Sequence, residues 1–176
     1  MPAGFVRPLI QPRAGQMAAT QELEPVRQGT RIPSTSRGAG VGKQIPLVDY
    51  LVLDGDPHLE ANECASCGAR YFDRRNACAA CGATGFNKAP IGTEGVVRAF
   101  TIVSLAAPGV PVPFVASVID CGGTSVRANV INTTPDPEHV KLGMKVRLAT
   151  YVVGTDDDGT EAVGFGFEPL EEPDGT

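Results

Sequence analysis

Downstream of residue 94 short apolar-rich runs, bounded by turn residues and in one case alternating apolar and polar with a period of two, predict β-strands. Residues 96–103 form the first such run and residues 114–119 the second. The alternating run is residues 125–131. There Val126, Ala128 and Val130 fall on one face, and Arg127 and Asn129 on the other. Cys121-Gly122-Gly123-Thr124 supplies the turn of a hairpin joining the second and third runs. Residues 145–153 and 162–167 give two more strands, joined across the acidic turn Asp156-Asp157-Asp158-Gly159. Between the third and fourth strands, residues 136–142 read as one helical turn, with Asp136 as its cap, Pro137 as its first residue and Gly143 as its stop. Gly164 and Gly166 suit a strand that bends to close a sheet on itself. Five short strands with a helical turn between the third and fourth is the element order of an OB-fold barrel. An open antiparallel sheet would use the same strands and stands as the alternative.

Upstream the pattern changes. Residues 46–53 predict a short helix, because Pro46 suits a first helical turn and Leu47, Tyr50 and Leu51 would share one side. The run is short, so a strand is the competing reading. Asp54-Gly55-Asp56-Pro57 ends it with turn chemistry. Residues 1–43 sustain neither period, carry five prolines and include a Ser/Thr/Gly-rich run over 29–42. They read as an extended or disordered N-terminal arm, or one that orders on a partner. Met17 is an alternative start. The expected organisation is therefore an arm over 1–43, a short helix and linker over 44–57, a cysteine-rich module over 58–90, a barrel over 91–170 and a polar tail over 171–176.

Composition agrees with a mainly β fold. The chain has 176 residues, of which 42% are hydrophobic and only 6% aromatic, with no Trp, so its core must be built mostly from aliphatic side chains. Gly (21) and Pro (15) together argue for short strands and many turns rather than long helices. No apolar run approaches the 18 or so residues needed to span a bilayer. The N-terminal stretch lacks the uninterrupted apolar core of a signal peptide, being broken by Pro8, Gln11, Pro12 and Arg13. Both observations point to a soluble, cytoplasmic protein. Charge is uneven: residues 1–43 hold six Lys/Arg against two acids, and residues 44–176 hold nine against eighteen. The part expected to fold is thus acidic, which disfavours binding to phosphate backbones. A single-stranded nucleic-acid-binding protein remains the alternative that ribbon and OB modules bring with them. It would need basic strands with exposed stacking aromatics, and the strands offer only Arg98, Arg127 and Phe100.

The five cysteines lie at 64, 67, 78, 81 and 121. Cys64-x-x-Cys67-Gly68 and Cys78-x-x-Cys81-Gly82 are matched units separated by ten residues. Each unit makes a tight turn that aims two sulfurs at one point, and the glycine after it tolerates the backbone conformation that the turn demands. Two facing turns assemble a tetrahedron of thiolates, the donor set of a structural zinc in a rubredoxin-like ribbon. Disulfides are disfavoured in a reducing compartment. Iron uses similar thiolate turns, and spacing does not distinguish it from zinc. Four thiolates leave no open coordination position, so such a metal would hold the fold and do no chemistry.

A short helix, a four-cysteine ribbon and a small barrel, in that order, resemble the zinc-ribbon/OB-fold family of acyl-CoA-associated proteins that serve as accessory subunits of thiolase-like enzymes. The resemblance covers residues 46–169. It rests on the two cysteine units, on residues 95–103, on the proline-rich stretch 108–114 and on residues 139–146. It implies a non-catalytic subunit that joins a condensing or carbon–carbon bond-cleaving enzyme in a hetero-oligomer and supports binding of an acyl-CoA, in lipid or steroid metabolism. The N-terminal arm lies outside it.

The residues themselves offer no catalytic constellation. His58 and His139 neighbour no nucleophile, and Cys121 sits beside Asp120, which opposes its ionisation. Asp156 to Asp158 lack the remainder of a calcium loop. The glycines of residues 38–43 lack the Gly-Lys-Ser/Thr ending of a phosphate loop. The loop over 105–114 is more informative: it is apolar throughout and stiffened by three prolines, as suits a surface that a partner or an acyl chain covers. Leu47, Tyr50, Leu51, Val110, Val112 and Phe114 are the expected partner-binding residues. Arg70, Arg74, Arg75 and Arg98 are the expected contacts for the phosphates of CoA.

Overall fold

The computed structural model describes residues 43–170, so the expected arm (apart from Lys43) and the polar tail lie outside the described residues. Ten strands are present, and no helix occurs among the described residues. One sheet holds β2 (Leu51–Val52), β3 (His58–Cys64), β4 (Arg70–Tyr71) and β5 (Phe86–Ile91), with β3 at its centre. The other is a closed five-stranded barrel with one added strand. Its members are β6 (Glu94–Val103), β7 (Phe114–Cys121), β8 (Thr124–Val130), β9 (Lys145–Thr155) and β10 (Glu161–Pro169). Antiparallel pairs run β6–β7–β8, β10 joins β8 in parallel at Phe167 opposite Val130, and β9 pairs with both β10 and β6. This closure excludes the open sheet and gives the OB-fold its characteristic barrel.

Alternation in the chain becomes inside and outside of the barrel. In β7, Val115, Ser117, Ile119 and Cys121 are buried, whereas Phe114, Ala116, Val118 and Asp120 point outward and are half-buried. In β8, Thr124, Val126 and Val130 are buried and Arg127 faces solvent. The interior is aliphatic, as the composition requires: Val97, Val115, Ile119, Val126, Val130, Val146 and Val163 surround Phe167, the one fully buried aromatic ring among the described residues. Asp136 caps its turn by accepting the N–H groups of Glu138 and His139, both at 2.9 Å. That turn seats Val140 in the core at 1% exposure. Near the barrel's closure the buried carboxylate of Glu168 receives Asn132 Nδ2 at 2.6 Å and Arg147 Nε at 2.8 Å, tying together the end of β8, β9 and β10.

Two glycines mark close approaches. A Cβ at Gly166 would lie 2.9 Å from Ile131 Cγ2 and 3.0 Å from the carbonyl of Asn129, so only glycine lets the end of β8 pack onto β10. At Gly95 the crowding is greater: a Cβ would sit 2.5 Å from Ile119 Cγ2 and 2.8 Å from Cys121 Sγ. Gly95→Ala is expected to destabilise the chain by about 1–3 kcal/mol through overpacking. Urea unfolding followed by circular dichroism checks this, and a midpoint equal to that of the wild type would contradict it.

The short helix expected over 46–53 is not formed. Pro46 ends β1 (Gln44–Pro46), which lies parallel to β10, and Leu47 N donates to Val163 O at 2.8 Å. A turn closed by Leu51 N to Val48 O (3.1 Å) leads into β2, which pairs with β3. Eight residues are too few to nucleate a helix against available sheet edges. Both edges capture the segment, so the competing strand reading describes it better.

Candidate metal centre

The cysteine units close as two near-identical loops. Gly68 N donates to Cys64 O at 2.9 Å and Gly82 N to Cys78 O at 2.8 Å. Cys64 N reaches Ala69 O at 2.9 Å and Cys78 N reaches Ala83 O at 2.7 Å. Gly68 and Gly82 take φ of 72° and 76°, the left-handed conformation that glycine adopts without a steric cost. One loop ends β3 and the other follows β4, and they face each other. The four sulfurs lie within 4.8 Å of one another, with Cys64–Cys81 and Cys67–Cys78 each at 3.6 Å. A tetrahedron with metal–sulfur bonds of about 2.3 Å has edges of about 3.8 Å, so the donor set fits a zinc ion in size and chemistry. Cys64 and Cys78 are buried, and Cys67 and Cys81 face outward.

Cys78 has an additional neighbour. Tyr71 Oη lies 3.4 Å from its sulfur. The Tyr71 ring meets Phe86 edge-on at 6.2 Å, and the Arg75 guanidinium sits 5.0 Å above it. The thiol of Cys78 is pulled down to about 6, first by the Tyr71 hydroxyl and then by backbone N–H groups of Cys81 and Ala80, against the opposing effect of burial. Tyr71 was not distinguishable in the sequence: nothing in its spacing, seven residues before Cys78, announces an aromatic hydroxyl at the second ligand turn.

The fifth thiol behaves differently. Cys121 is 1% exposed inside the barrel, and burial, aided by Asp120, pushes it up to about 11. It is an inert core side chain. His58 Nδ1 is engaged with Asp56 O at 2.9 Å, and His139 Nδ1 with Asp136 Oδ1 at 2.7 Å. The His139 contact holds the Asp136 carboxyl below the usual range. Asp156 Oδ1 accepts the N–H groups of Asp158 and Thr160, as a hairpin turn requires.

The expected phosphate contacts divide into two groups. Arg70 Nε lies 2.6 Å from Glu63 Oε2. Arg98 lies 2.8 Å from Asp120 Oδ2, and holds that carboxyl low. Arg74 and Arg75 form no ion pair with any other described residue. Arg75 lines a crevice of about 420 Å³ between ribbon and barrel, together with Tyr50, Tyr71, Asp73 and Arg127. The period-two pattern places Arg127 on the outer face of its strand. Alternation cannot show that this face looks across at the ribbon.

The expected partner contacts divide as well. Leu51 is 2% exposed and belongs to the common core with Leu59, Ala61 and Ile91, so it is not a surface contact. Tyr50 is half-buried, and its ring bridges Phe72 of the ribbon (4.8 Å) and Phe165 of the barrel (5.9 Å). Leu47 is exposed, as are Leu105, Val110 and Val112 of the loop between β6 and β7. Phe114 is half-buried at the loop's end. Val110, Pro111 and Phe114 form one wall of a groove of about 500 Å³, with Ile131 and Tyr151 across from them.

Two family models match this architecture piece by piece. The rubredoxin-like zinc ribbon domain of ChsH2 matches residues 55–87, and the C-terminal OB-fold domain of ChsH2 matches residues 89–151. No curated protein matches the chain. Among solved structures, one titled "Ltp2-ChsH2(DUF35) aldolase" is similar in fold, with a TM-score of 0.51 and 20% identity over 64% of this chain and 84% of that one.

Proposed function

This chain belongs to the ChsH2 family of zinc-ribbon and OB-fold proteins, and from that premise we propose that it is a non-catalytic accessory subunit of a thiolase-like or carbon–carbon bond-cleaving or bond-forming acyl-CoA enzyme. Cys64, Cys67, Cys78 and Cys81 hold a structural zinc ion in this reading, and the partner supplies the reacting groups. The carrying observation is the apolar loop over 105–114. Leu105 is 89% exposed and Val110 47% exposed, beside an apolar groove. A hydrophobic surface of this kind on a small barrel is a place for another chain to cover. The solved neighbour is likewise titled as an assembly of a ChsH2 chain with Ltp2. Arg75 and Arg127, which face one crevice with Asp73 and form no ion pair among the described residues, are the better placed cations for the phosphates of a CoA thioester. Arg70 and Arg98, each neutralised locally, are the poorer ones. A reducing cytoplasm keeps the four thiols free to ligate. Among the described residues no helix is long and apolar enough to cross a membrane.

Co-purification from the native source tests the assignment. The chain is expected to carry a thiolase-like enzyme with it, and Leu105→Asp with Val110→Asp is expected to lower recovery of that enzyme at least tenfold. Acyl-CoA turnover by the isolated chain would overturn the assignment.

A further inference from the structure

The geometry points to Tyr71 as a positioning residue for the metal centre: its hydroxyl donates a hydrogen bond to the Cys78 thiolate and slows loss of the bound ion. The inference rests on the four-cysteine zinc reading and extends it to a side chain outside the ligand set. A metal-bound thiolate has no proton to give, so across the 3.4 Å separation the phenol O–H must be the donor. The phenol is held in place from two sides. Its ring meets Phe86, which stands opposite Cys64 in the β3–β5 ladder, and the Arg75 guanidinium covers the ring at 5.0 Å. A cation over the ring withdraws electron density from the phenol and strengthens the hydroxyl as a donor.

The position of the bond explains why it matters. The two cysteine loops have matching backbone hydrogen bonds, so the backbone alone would treat Cys64 and Cys78 alike. Cys64 ends a strand that is paired on both sides by β4 and β5. Cys78 lies outside every strand, in a stretch where residues 73–77 and 79–82 are all exposed. The loop carrying Cys78 and Cys81 is therefore the half of the site with the least framework behind it. Tyr71, on β4, bonds this loop to the sheet. Hydrogen bonds to metal ligands orient them and typically change metal affinity by about 10–100-fold.

The test uses the full chain loaded with zinc, and the same chain loaded with cobalt(II). Tyr71→Phe removes the hydroxyl and keeps the ring on Phe86. Zinc transfer to a competing chelator at neutral pH is expected to run about tenfold faster in this variant. With cobalt, the thiolate-to-metal charge-transfer band is expected to move to longer wavelength, because a sulfur relieved of a hydrogen bond gives up its electron more readily. Arg75→Gln, at an exposed position, is expected to shift both readouts in the same direction by less. Loss of ring packing alone would not produce this pattern, because both substitutions leave the ring in place. A Tyr71→Phe chain with the wild-type release rate and the wild-type band overturns the inference and leaves the zinc reading intact. A wild-type chain that takes up no metal overturns both.

Discussion

Cys78→Ser is expected to abolish stoichiometric zinc binding and to melt the distal half of the ribbon while the barrel stays folded. The reason is the distribution of burial. Between residues 65 and 90 only Cys78 is buried; every other side chain is exposed or half-buried. The buried apolar residues of the small sheet, Leu51, Leu59, Ala61 and Ile91, all lie at the end that shares its core with the barrel. No fully buried apolar side chain therefore holds the two cysteine loops against each other. Structural zinc in comparable modules contributes about 10–16 kcal/mol, far more than such a segment gathers from its own packing. Removing one thiolate leaves three ligands and breaks the loop that lacks strand support. Metal analysis and amide hydrogen exchange check the outcome. Residues 64–86 should lose protection, whereas residues 94–169 should keep it. A Cys78→Ser chain with full metal content and unchanged exchange would refute this account of the ribbon.

Phe167→Ala is expected to have the largest effect on the barrel. Phe167 is fully buried and occupies the position where the sheet closes: it stands opposite Leu148 of β9, opposite Val130 of β8 in the parallel contact, and its carbonyl accepts Ile131 N at 2.7 Å. Among aliphatic neighbours that β-branching keeps stiff, the vacated space cannot collapse readily. The cost is about 3–5 kcal/mol, a large share of the 5–15 kcal/mol that sustains an ordinary domain. The melting temperature should fall by about 10–20 °C. The chain has no Trp, so far-UV circular dichroism is the natural probe. A drop under two degrees would show that Phe167 does not anchor closure.

Short apolar runs bounded by turn residues made the barrel strands legible, and period-two alternation marked the inner and outer faces of β7 and β8. Turn chemistry did the same for Asp136 and for the Gly122-Gly123 hairpin, where the signal is local. The convergence of four sulfurs followed from repeated spacing, since each loop is made by its own five residues. What stayed hidden depends on partners distant in sequence. β1 and β2 are strands because Val163 and Leu59 offer them an edge, and nothing within residues 44–53 says so. Arg98 loses its freedom to Asp120 across a register shift in β6–β7, and Arg70 to Glu63 across the β3–β4 ladder. Leu51 and Tyr50 read as surface residues of a helix and became, respectively, core and the bridge between ribbon and barrel.

β1 is three residues long, yet it determines how the ribbon is wired into the molecule. Because β1 is stitched to β10 and β6 begins the barrel, the whole ribbon is an insertion with both ends fastened to the same rigid frame. A ribbon emptied of its ion remains a tethered loop, with much of the chain entropy of bringing its ends together already spent by the barrel. Such a module can release its ion and recapture it without the frame coming apart, much as a clasp reopens on a bracelet that stays on the wrist.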